Sequence, residues 1–201
     1  MAKVELAPIK KVTMAFTIRG TSPLITHQWD EKSKLMMKEK QAGKKTKKRE
    51  VRDPQAEFEA AAYKTAKGDY GIPGMGFKNS LITAAHKDLG VEKTLVRKAL
   101  FLRTDDPNKV LKMESDDPVL REDMVRVGVG SADIRYRPMF NNWSVRIKLE
   151  VDRDLLTEND VVNLVNRAGF GVGLCEWRPE KNGEFGRFEI DTTQPFEVKE
   201  A

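Results

Sequence analysis

The chain has 201 residues, 39% of them hydrophobic and 33% charged, with a formal net charge of +5 at pH 7. That length suits one domain with an internal core, and the composition is that of a globular protein with a heavily charged surface. No apolar run approaches about 18 residues, the N-terminus MAKVELAPIKKV has no apolar leader, and Cys175 stands alone, which together exclude membrane-spanning and disulfide-stapled classes and predict a cytoplasmic protein of a bacterium or a phage-infected cell.

Val12, Met14, Phe16 and Ile18 alternate with Thr13, Ala15, Thr17 and Arg19, the period of a half-buried strand, and Gly20 followed by Ser22-Pro23 turns the chain. Between Lys32 and Arg52 lie ten Lys/Arg against two acids, while the rest of the chain carries 26 bases and 29 acids. Charge so concentrated resists burial, so residues 32–52 are expected to form a flexible basic arm facing a polyanion, or else merely a solubilising loop. Asp53-Pro54 reads as an N-cap and first-turn proline of a helix running through Ala66.

A second helix follows the flexible run 70–76, with Phe77, Leu81, Ala84, Ala85 and Leu89 at helical spacing and Gly90 as its stop. Ala99 to Leu102 reads as a short buried strand. Residues 104–142 carry acidic turns and two β-like pieces, Met124–Val129 and Asp133–Arg137, and are expected to form an inserted hairpin or lobe. Trp143, Val145, Ile147, Leu149 and Val151 alternate with polar residues in a further strand. Thr157 to Asp160 resembles a capping box; Val161, Leu164, Val165 and Ala168 give its helix a buried stripe, and Gly169 is expected to end it. Arg187 to Ile190 supplies a last strand. Without the arm and the lobe the order is βαββαβ, which predicts one domain over 1–201 of α+β class: a ferredoxin-like (RRM-like) antiparallel sheet with both helices on one face.

Three segments carry candidate chemistry. Residues 169–187 are glycine-rich: Gly169, Gly171 and Gly173 would let backbone amides approach a phosphate, Arg178 and Arg187 would clamp it, and Trp177 would stack on a base. These glycines follow a helix, so they are no dinucleotide fingerprint, and on glycine content alone a tight turn packing against the sheet is the better explanation. Residues 72–80 lead into a helix N-terminus where free amides favour an anion, with Lys78 and Ser80 as added contacts. Ser22-Pro23-Leu24 is the turn that leaves the first strand.

Taken in order, Ser22-Pro23-Leu24, the helix start Ile72-Pro73-Gly74 and the closing Gly183-Glu184-Phe185-Gly186-Arg187-Phe188 resemble the RAMP superfamily (the repeat-associated mysterious proteins), whose members form backbone and processing subunits of CRISPR effector complexes. The loop departs from the family in carrying Val172, Leu174, Cys175 and Glu176 where arginines are common, and a compact relative from a phage or another mobile element fits the same pattern. The resemblance implies binding of single-stranded RNA or DNA, as a homo-oligomer or filament along the strand. Lys44, Lys45, Lys47, Lys48 and Arg49 of the arm would share the phosphate contacts. Some members cleave RNA with a histidine or a loop aspartate, which makes His27, His86 and Asp30 the catalytic candidates; the alternatives to a non-catalytic binder are thus a metal-independent endoribonuclease and a phage structural or interaction protein. One cysteine and two distant histidines offer no metal-ligand spacing, and no cofactor motif is present, so neither metal nor cofactor is expected.

Overall fold

The computed structural model describes residues 6–29, 31–43, 51–126 and 130–200. In chain order the elements are β1 (Lys11–Gly20), β2 (Leu24–Ile25), α1 (Glu31–Gln41), α2 (Pro54–Ala60), β3 (Gly71–Pro73), α3 (Gly74–Leu89), α4 (Lys93–Ala99), β4 (Leu100–Leu102), β5 (Val110–Ser115), β6 (Val119–Arg126), β7 (Ala132–Phe140), β8 (Trp143–Asp152), α5 (Glu158–Gly171), β9 (Phe188–Ile190) and β10 (Glu197–Glu200). The class is α+β, with antiparallel sheets.

The two long alternating segments are neighbours. β1 and β8 pair antiparallel from Lys11↔Asp152 to Arg19↔Ser144, which sets Phe16 opposite Ile147 and Met14 opposite Leu149. Period-2 patterning on both strands then makes one apolar face. α3 covers it with Phe77, Leu81, Ala84 and Ala85, and α5 with Val161, Leu164, Val165 and Ala168, all buried in one cluster. β9 and β10 share the outer edge of β1, and β4 and β5 share the far edge of β8, with β3 beyond β5. A smaller sheet, β2–β7–β6, stands beside it: β6 and β7 form a hairpin, and β2 anchors that hairpin through Leu24↔Phe140 and Ile25↔Met139.

Several boundaries differ from those the sequence predicts. Asp53 does cap α2, accepting from the amides of Gln55 and Ala56, yet the helix ends at Ala60 and not at Ala66. The Ala61 carbonyl is instead taken by the Gln28 amide (2.9 Å) and the Thr26 hydroxyl (3.1 Å), a tertiary bond that local spacing does not reveal. α5 runs past Gly169 to Gly171, because Gly169 serves packing: a Cβ there would lie 1.9 Å from the Phe188 carbonyl oxygen. Neither α4 nor β10 is marked by the sequence pattern. Of the expected basic arm, the described residues include those of α1, and Arg52 at its end bonds Glu57 and Asp133 at 2.6 Å each; residues 44–50 lie outside the described residues.

The expected capping box is present, with Thr157 accepting from the Asp160 amide and Asp160 from the Thr157 amide. Thr157→Ala removes the hydroxyl that caps the Asp160 amide and is expected to destabilise the protein by about 1 kcal/mol, measured as a fall in melting temperature.

Candidate functional site

The turn after β1 is fastened to the C-terminal loop at four points. The Thr21 amide donates to the Arg187 carbonyl (2.9 Å), the Arg187 amide to the Ser22 hydroxyl (3.0 Å), the Gly186 amide to the Pro23 carbonyl (2.8 Å) and the Glu176 amide to the Ile25 carbonyl (3.0 Å). Trp143 adds a fifth tie, donating from Nε1 to the Ser22 carbonyl at 2.9 Å. Within the loop, the Gly173 amide donates to Ala168, Leu174 to Gly186, Gly183 to Arg178 and Phe185 to Trp177. Gly173 (φ +73°) and Gly186 (φ +67°) take the left-handed conformation, and a Cβ on Gly186 would stand 2.0 Å from the Leu174 oxygen. The loop is therefore a cross-braced wall, with its shape held by its own backbone.

Facing that wall is the start of α3. Between them lies a cleft of about 380 Å³, lined by Asn79, Ser80 and Thr83 of α3, by the loop residues Cys175 and Arg178, and by His27 and Tyr63. Two of the three segments singled out in the sequence, the start of α3 and the glycine-rich loop, line this cleft; the third, the turn after β1, adds no lining residue and is hydrogen-bonded to the loop.

Burial and ion pairing set the cleft's electrostatics. Arg178 donates to Glu180 Oε2 through Nε (3.2 Å) and Nη2 (2.9 Å) and to the Cys175 carbonyl through Nη1 (2.8 Å), so it braces the loop. Glu176 accepts from Arg137 Nη1 at 3.2 Å. Arg137 Nη2 in turn donates to Asp123 Oδ2 at 2.7 Å, which links the β6–β7 hairpin to the loop. His27 Nε2 lies 3.4 Å from Arg135 Nη1, and its buried Nδ1 has no hydrogen-bond partner among the described residues. Desolvation pushes the His27 pKa down, with Arg135 and Arg137 adding to the effect against Glu176, so the imidazole is neutral at pH 7. Desolvation also pushes the Tyr63 hydroxyl and the Cys175 thiol up to about 12 each, which keeps both protonated and makes Cys175 a poor nucleophile.

The other sequence candidates are dispersed. Ser80 lines the cleft, but it is buried and its hydroxyl donates to the Phe77 carbonyl at 2.7 Å. Lys78 points elsewhere: its ammonium bonds the Arg97 carbonyl (3.1 Å) and lies 4.6 Å from the Phe101 ring centroid. Arg187 sits over the exposed Phe170 ring at 5.1 Å and has no carboxylate partner among the described residues. Trp177 is exposed with φ +50°, and Gly171 is exposed at the end of α5. His86 is exposed in the last turn of α3, outside the cleft lining. Asp30, Lys44, Lys45, Lys47, Lys48 and Arg49 lie outside the described residues. Sequence reasoning gives no role to Tyr63, Asn79, Thr83 or Arg137. Asn79 stands within the segment that opens α3, while the others carry no local signal and reach the site only through tertiary packing. Among the described residues no group of three or more His, Cys, Asp or Glu is placed to hold a metal ion, and no helix is long and apolar enough to cross a membrane.

No protein-family model matches the chain, and no curated protein matches it in sequence. Among solved structures it is similar to a chain in the cryo-EM structure of the Type III-B Cmr-beta bound to cognate target RNA, with a TM-score of 0.52 and 12% identity over 95% of this chain. This chain corresponds to 61% of that one, and at such identity the likeness is one of fold.

Proposed function

We propose that this chain is a non-catalytic binder of single-stranded nucleic acid, RNA or DNA, built as a compact RAMP-like protein on a ferredoxin-like core. The observation that carries the reading is that the start of α3 and the glycine-rich loop line one cleft, with the post-β1 turn hydrogen-bonded to that loop. Four further features support it. The edge order β9–β1–β8–β5, with α3 and α5 on one face, is compatible with a ferredoxin-like arrangement, and the similar Cmr-beta complex is bound to target RNA. Arg187 on Phe170 offers a cation for phosphate beside an exposed ring for a base, and the basic residues 44–49 add long-range attraction. Copies would assemble side by side along a strand.

The test is fluorescence anisotropy with labelled single-stranded RNA and DNA over a range of salt, using strands of increasing length to count bound copies. Affinity is expected to fall linearly in log salt. Replacing Lys44, Lys45, Lys47 and Lys48 with alanine should flatten that slope by about 0.7 for each phosphate no longer neutralised, and Arg187→Ala should weaken binding by about 1.5–3 kcal/mol. Absence of salt-sensitive binding to either strand would refute the proposal.

A further inference from the structure

The cleft's charge points to what it takes. Its charged lining residues are two acids, Glu176 and Glu180, and two bases, Arg178 and Lys181, and three of the four are already paired: Arg178 with Glu180, and Glu176 with Arg137. Such a lining has little net attraction for a phosphate and favours a neutral polar ligand. Asn79 offers an amide with both donors and acceptors, and Thr83 and Tyr63 offer hydroxyls. The volume, about 380 Å³, is near the low end of ligand clefts, which run roughly 300–1,000 Å³, and leaves room for one base with its ribose.

We propose that this cleft is a nucleobase pocket: it receives one unstacked base of the bound strand, held by hydrogen bonds from Asn79 and Thr83 beside the Tyr63 ring. The proposal rests on the strand-binding reading above and gives it a contact that phosphate attraction does not supply. Reading the edges of splayed-out bases is how single strands are told apart, so the pocket would also give the protein a base preference.

The experiment compares a labelled oligoadenylate, oligocytidylate and oligouridylate with a strand of the same length made of abasic residues. The wild-type protein is expected to bind at least one base-bearing strand about tenfold more tightly than the abasic one. Thr83→Phe fills the cleft, and Asn79→Leu removes its amide from an exposed helix position; each should reduce the preference for bases while keeping salt-sensitive binding to the abasic strand. Melting temperatures confirm which variants are folded, and either variant alone suffices. Equal affinity of the wild type for base-bearing and abasic strands overturns the pocket and leaves strand binding standing. So does a preference that survives in the folded variants, which would assign it to Trp177 or Phe170 stacking. Failure to bind any strand overturns both readings.

Discussion

Asp123→Ala is expected to destabilise the protein by about 3–5 kcal/mol, because it leaves a buried guanidinium short of its main countercharge. Arg137 is only 2% exposed and Asp123 8%. Without Asp123, Arg137 keeps one carboxylate partner among the described residues, the half-exposed Glu176 at 3.2 Å, while its Nε already lacks a partner among them. The converse change should be milder. Arg137→Met leaves Asp123 still bonded to Arg121 Nε at 2.8 Å and removes the unsatisfied Nε from the interior. An apolar pair, Asp123→Leu with Arg137→Met, should recover most of the stability, since replacing both members of a buried pair is often close to neutral. Urea unfolding of the three variants checks the order. An Asp123→Ala protein within about 1 kcal/mol of wild type would show the pair to be dispensable. The hairpin is joined to the glycine-rich loop through this pair and Glu176, so the destabilisation should be accompanied by weaker strand binding in the fraction that remains folded.

Gly169→Ala and Gly171→Ala, two residues apart on one helix, are expected to move stability in opposite directions. A Cβ on Gly169 would stand 1.9 Å from the oxygen and 2.7 Å from the carbon of the Phe188 carbonyl. Those are backbone atoms of β9, which is held to β1 through Gly20↔Phe188 and Ile18↔Ile190, so relief requires α5 and β9 to separate. Overpacking of this kind costs about 3 kcal/mol, less the better helix propensity of alanine. At Gly171 a Cβ meets only Asp88 Oδ2, at an ordinary 3.5 Å, and the backbone is not left-handed. Alanine there should leave the fold intact and add up to about 0.5–1 kcal/mol. Gly171→Ala thus reports on ligand approach alone: weaker binding at a melting temperature no lower than wild type places a strand against the end of α5, and unchanged binding removes that position from the interface. Gly173 cannot serve this purpose, because its φ of +73° and a Cβ 2.7 Å from Pro179 make any substitution a stability change first. A melting temperature for Gly169→Ala equal to that of wild type would contradict the close approach of α5 to β9.

The parts of this protein legible in one dimension are those that depend on period and on caps. Val12 to Ile18 and Trp143 to Val151 show strict alternation, the stripes of α3 and α5 show helical spacing, and Asp53 and Thr157 announce their helix starts by hydrogen bonds to amides two or three residues away. These interactions lie within a few residues of chain, so composition and spacing determine them. The same holds for the concentration of lysine in residues 32–52 and for the three glycine- and proline-marked segments. Tertiary structure decided the rest. Whether Gly169 ends a helix or lets β9 approach it depends on Phe188, and where α2 stops depends on Thr26 and Gln28. Lys78, read as a phosphate contact, is turned to Phe101 by the packing of α3 against α4 and β4. The cleft itself is assembled from His27, Tyr63, α3 and the residues after α5, more than 140 positions apart in the chain. Sequence spacing carries the interactions a segment makes with itself; desolvation and close approach are properties of surfaces that meet only after folding.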